Sequence, residues 1–132
     1  MKKIILFLIF SLSTIFLIAQ SDFKQYNILN GQNINPVSYR LFPTQNMWTF
    51  LKLNTRNGQI WQVQFDIKGE NRFETDLNFK HLVTKEEEFN DRFSLYSTQN
   101  MYTFILIDQL DGRMWQVQWS IEPEKRFIIY IK

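Results

Sequence analysis

Hydrophobic and polar positions alternate along much of the chain with a period of two. The cleanest run is Gln59 to Ile67, where Trp61, Val63, Phe65 and Ile67 interleave with Gln62, Gln64 and Asp66. Alternation of this kind predicts a half-buried β-strand, with the tryptophan side turned to a core and the glutamines turned to water. Arg113 to Ile121 repeats the pattern with Trp115, Val117, Trp119 and Ile121. Shorter alternating runs lie at Tyr39 to Phe42 and Phe93 to Tyr96, and denser ones at Trp48 to Leu53 and Tyr102 to Ile107. Closing strands are expected at Arg72 to Leu77 and Arg126 to Ile131, after the turn-rich phrases KGEN and EPEK.

These runs are two statements of one unit. Setting Tyr39 to Phe73 over Phe93 to Phe127 at a constant offset of 54 gives 16 identities in 35 positions without a gap. Thr44 to Met47 recurs as Thr98 to Met101, Thr49-Phe50 as Thr103-Phe104, and Trp61 to Gln64 as Trp115 to Gln118. A repeat of this length points to a supersecondary unit that cannot bury its own face and packs against its copy. The expected fold is mainly β: an antiparallel meander of about 7–9 strands in two pseudo-symmetric repeats, a small sandwich or open barrel. The repeats span residues 22–77 and 78–132.

Glycine marks the hairpin tips. Asn54-Thr55-Arg56-Asn57-Gly58 and Asp108-Gln109-Leu110-Asp111-Gly112 put Asn-Gly or Asp-Gly where a tight loop needs positive φ, which makes Gly58 and Gly112 structural. Trp61 and Trp115 are expected in equivalent buried places. The phrases TFLKLNTRNGQIWQV and TFILIDQLDGRMWQV resemble the hairpin TFxLDTxTGxxWxV of numerous small bacterial exported proteins that carry no known activity. That resemblance implies β-structure and brings no chemistry with it. Asp-x-x-x-Gly hairpins followed by Trp also occur in propeller blades of the quinoprotein kind, which set the Trp one residue further on and repeat six to eight times.

The first 21 residues read differently. Lys2-Lys3, an apolar stretch from Ile4 to Ile18 and the small residues Ala19 and Ser21 have the layout of a secretory signal peptide, a helix cut after Ser21. An uncleaved anchor is the alternative, but the apolar run is shorter than the roughly 20 residues a membrane span needs. Two of the fifteen basic residues are therefore signal residues, and residues 22–132 carry 13 of each sign. A neutral domain lacks the basic footprint of a nucleic-acid binder. There is no cysteine, so no disulfide, thiolate or lipidated anchor is available. The domain is read as periplasmic or extracellular, touching membrane only through its N-terminal segment.

Candidate chemistry is sparse. His81 is the only histidine and has no second ligand in local register, and Glu86-Glu87-Glu88 after Thr84 fits a capped turn. No catalytic residue, metal site or cofactor is expected. The candidate ligand-binding residues are Thr44, Gln45, Asn46 and Trp48 with their copies Thr98, Gln99, Asn100 and Tyr102, amides beside an aromatic plane. The same blocks also suit a strand connection, where Thr and Asn bond nearby backbone. The leading expectation is an exported non-catalytic binding module with two pseudo-equivalent surfaces, its partner a protein, peptide or glycan. A self-assembling structural or accessory envelope protein is the alternative, followed by a propeller-like oligomeric lectin or a hydrolytic enzyme. The repeats part company at their ends: Phe127-Ile128-Ile129-Tyr130-Ile131 is apolar on both sides. Such a strand calls for cover, from Tyr26 to Leu29 within the monomer or from a second copy in a homodimer.

Overall fold

The computed structural model describes residues 37–132; residues 1–21, read as a signal helix, and Tyr26 to Leu29 lie outside them. Eight strands form two four-stranded antiparallel sheets, each a meander in chain order. The first holds β1 (Tyr39–Pro43), β2 (Thr49–Asn54), β3 (Ile60–Gln64) and β4 (Phe73–Asn78). The second holds β5 (Phe93–Ser97), β6 (Thr103–Asp108), β7 (Met114–Gln118) and β8 (Phe127–Ile131). The sheets share one core, and among the described residues no barrel closes.

Local chemistry sets the strand ends. At both hairpin tips the glycine has positive φ, 79° at Gly58 and 77° at Gly112, and its N–H closes the loop on the carbonyl of Asn54 or Asp108. The alternation of the third strand runs to Ile67 in the sequence, yet β3 ends at Gln64. The Asp66 carboxylate gathers the N–H groups of Gly69 and Asn71, which folds the KGEN phrase into a turn and takes the chain out of the ladder.

The two sheets bury opposite faces of the repeated unit. Let the front be the side that carries Phe50, Trp61 and Val63 in the first sheet and Phe104, Trp115 and Val117 in the second. The back then carries Thr49, Leu51, Leu53 and Gln62, or Thr103, Ile105, Ile107 and Gln116. The second sheet turns its front inward, and Phe93, Leu95, Phe104, Leu106, Trp115, Val117 and Trp119 are all buried. The first sheet meets them with its back, through Leu51, Leu53 and Ile60.

This corrects the expected facing in the first repeat. Trp61 is half-buried on an outer face while Trp115 is 8% exposed inside, and Gln62 is 0% exposed where water was expected. Phe65 and Ile67 are exposed too, as is Ile121 in the second copy. The physical reason is that both sides of β2 and β3 carry enough apolar residues to serve as a core, so alternation alone does not choose between them. Charge does choose: the front of the first sheet bears Lys52, Glu74 and Asp76 where the second has Leu106, Ile128 and Tyr130.

Thr55 laces the sheets together. Its carbonyl accepts the Phe93 N–H at 2.7 Å, its hydroxyl accepts the Asp91 N–H at 3.0 Å, and that hydroxyl lies 2.6 Å from the Val37 carbonyl. The β8 strand pairs with β7 alone among the described strands, and Ile129, Tyr130 and Ile131 are exposed.

Candidate functional site

The loop between β1 and β2 uses its polar side chains on itself. The Thr44 hydroxyl lies 3.0 Å from the Asn46 carbonyl and 2.9 Å from that of Thr49, and it accepts the Asn46 N–H at 3.1 Å. The Asn46 side-chain oxygen accepts the Trp48 N–H at 2.9 Å. The loop between β5 and β6 repeats every one of these bonds through Thr98, Asn100 and Tyr102. Thr and Asn therefore fix the turn, while Gln45 and Gln99 are exposed and make no side-chain hydrogen bond among the described residues.

The two loops face each other across a cleft of about 130 Å³, lined by Gln45, Thr98, Asn100 and Met101 among others. A second cleft of about 210 Å³ lies beside Tyr102, Gln118, Glu122 and Lys125, with Trp119 as its floor. Trp119 is anchored by its indole N–H on the Met101 carbonyl at 2.9 Å, with the Tyr102 ring 5.1 Å from its own. Trp48 meets Phe65 edge to face at 5.3 Å.

At the opposite ends of the strands, charges are matched. Asp108 is wholly buried and receives the Arg92 guanidinium at 2.9–3.1 Å, with Arg113 at 3.4 Å. The Arg113 backbone N–H, then its guanidinium at 2.6 Å, hold the Asp111 carboxyl below the usual aspartate range. The acidic run caps its turn as expected, the Glu87 carboxylate accepting the Thr84 N–H at 2.9 Å. Glu88 departs from a solvated run: its side chain is 2% exposed, with Arg56 and His81 at 3.2 Å and Lys85 at 3.3 Å. The Asn57 amide at 3.1 Å leads the causes that lower its pKa. Each of these carboxylates faces a cation or an N–H donor of its own neighbourhood. Among the described residues no three His, Cys, Asp or Glu side chains come together as metal ligands would.

The outer faces hold what the clefts lack. On the front of the first sheet, Tyr39 lies 6.3 Å from Trp61, ring to ring, and the Lys52 ammonium sits 4.5 Å over that indole. Lys52 also pairs with Glu74 at 2.5 Å. Tyr39, Leu41 and Phe65 are exposed there. On the back of the second sheet Tyr96, Met114, Ile129 and Ile131 are exposed around Ile105, Ile107 and Gln116. Reading the repeat as two equivalent cores hides these faces; the clue was the set of charged residues in one copy against apolar ones in the other. No family model matches the chain, and neither curated proteins nor solved structures include a match to it.

Proposed function

We propose that the chain is an exported, non-catalytic interaction module that holds a protein partner on the open faces of its two sheets. One observation carries this reading. The front face of the unit already binds a sheet in the second copy, and the first copy presents the same Phe, Trp and Val with no sheet of the described residues against them. The clefts favour a protein over a small ligand, because pockets for small molecules usually run to about 300–1,000 Å³ and these measure about 130 and 210 Å³. Exposed aromatic and aliphatic side chains spread over a flat sheet are the usual material of protein interfaces.

Export follows from the residues 1–21 reading, and the mature N-terminus should fall at or near Asp22; protein kept in the membrane with Met1 intact would overturn that part. For the binding role the test is capture from the native envelope with wild type and Val63→Lys, whose side chain projects from the open front. Wild type should retain a defined partner and the variant should lose it. Equal capture by both would take the front face out of the function.

A further inference from the structure

We infer that the partner of the open faces is a second copy of this chain, stacked head to tail so that the back of one copy's second sheet lies on the front of the next copy's first sheet. The inference rests on reading those faces as docking surfaces, and the chain itself supplies the template. Inside the molecule the back of one unit packs on the front of the unit that follows it. At the second sheet's open back, Thr103 and Gln116 stand where the buried Thr49 and Gln62 stand, and Ile105 and Ile107 replace Leu51 and Leu53. At the first sheet's open front, Phe50, Trp61 and Val63 are the same residues as the buried Phe104, Trp115 and Val117. The two open faces are thus the two halves of an interface that the molecule has already built once.

The departures from that template fit cover by an aliphatic sheet. Lys52 stands where Leu106 does and Glu74 where Ile128 does, but they neutralise each other at 2.5 Å and the lysine lies along Trp61; the third departure, Asp76, stands where Tyr130 is 49% exposed, at the rim of the template interface. A matched pair is covered at far lower cost than a lone charge. Front-on-front pairing would instead bring two such sets together, four carboxylates against two ammonium groups in one interface, so unlike faces are the better fit. A contact between unlike faces is heterologous, and it closes into a ring or runs on as a filament. Four-stranded sheets that stack radially close with about four to eight members. With two sheets per chain, closure takes two, three or four copies.

The test uses protein produced from the full chain and recovered after export, measured by light scattering and native mass spectrometry. Wild type should show a discrete mass of two to four copies that dissociates on dilution. Val63→Lys spoils only the open front and Ile105→Lys only the open back, so each alone should fall to a single-copy mass. Circular dichroism and melting of the isolated variants verify that the sheets are intact. Mixing the two variants should restore a pair, since one good front and one good back remain, and neither variant alone should form it at the same concentration. A monomeric wild type would overturn the inference and leave the faces to another protein or to the residues before Val37. An oligomer that persists in either variant would move association elsewhere, with the β8 edge first in line. If wild type is monomeric yet captures an envelope protein that Val63→Lys loses, self-stacking falls while the interaction role stands. If no capture is seen either, both fall.

Discussion

Gln62 and Gln116 occupy the same place in the same phrase, Trp-Gln-Val-Gln, and live in opposite surroundings. Gln116 is half-exposed, whereas Gln62 is wholly buried between the sheets, and neither its amide nitrogen nor its oxygen finds a partner among the described residues. A buried polar group without a hydrogen bond costs about 1–3 kcal/mol, so an apolar side chain of similar shape should do no harm. Gln62→Met is expected to leave stability unchanged or raise it by about 1 kcal/mol in urea denaturation. Gln62→Glu should lower it by several kcal/mol, because a buried carboxylate there has no cation to meet. A methionine variant that lost more than it gained would show that the amide is bonded after all. The tryptophans beside them give a second internal control. Trp115→Ala should cost about 3–5 kcal/mol, as for other core aromatics. Trp61→Ala should cost about 1–2 kcal/mol, the worth of its contacts with Tyr39 and Lys52. Equal losses would mean that both indoles are equally enclosed.

Between residues and sheets stands the hairpin, where the two copies are again near-twins with one difference. Both tip glycines need positive φ, which costs a side-chain-bearing residue roughly 1–2 kcal/mol. A β-carbon at Gly112 meets nothing within 4 Å, but at Gly58 it would stand 2.6 Å from the Leu82 Cδ1 and 3.0 Å from its Cγ. Gly112→Ala should therefore cost the conformational penalty alone, and Gly58→Ala should cost about 1–3 kcal/mol more, since Leu82 packs against the core. Thermal melts of the pair decide it, and equal shifts would mean that Leu82 moves aside freely. These tips, the strand count and the strand limits to within a residue or two were legible in the sequence, because Asx-loop-Gly spacing and period-two alternation are local signals. The ends of β3 and β7 were not: alternation runs on to Ile67 and Ile121 while the strands stop at Gln64 and Gln118, and Asp66 reads as the next strand position until its carboxylate is seen holding a turn. Nor was the buried face of the first sheet, which depends on what the other sheet brings and leaves only Lys52, Glu74 and Asp76 as traces. Of the candidate ligand residues, Thr44, Asn46, Thr98 and Asn100 are occupied by their own loops, a use that short-range bonding preferences allow and that composition does not distinguish from ligand recognition.

For the molecule as a whole, five carboxylates share one direction. Asp66, Glu87, Glu88, Asp111 and Glu122 all titrate below their ordinary values, chiefly because backbone N–H groups or amide and ammonium donors hold the ionised form. A carboxyl whose pKa is depressed by folding stabilises the protein above its unfolded value, and that stability drains away as pH falls toward the folded one. Stability should thus be flat above the ordinary glutamate pKa of 4.5 and decline below it, and Glu88→Gln should make the acid limb shallower. An acid limb identical in the variant would show that Glu88 contributes nothing to it. The strand order has a consequence of another kind. Because every strand pairs with its neighbours in sequence, each sheet is complete as soon as its own stretch of chain exists. At about 5–20 residues per second, the 54 residues that follow the first sheet take roughly 3–11 s to appear. For that interval the newborn first sheet holds Leu51, Leu53 and Ile60 toward water with nothing to cover them. The moment of greatest risk for this fold thus falls before the second sheet exists to cover the first.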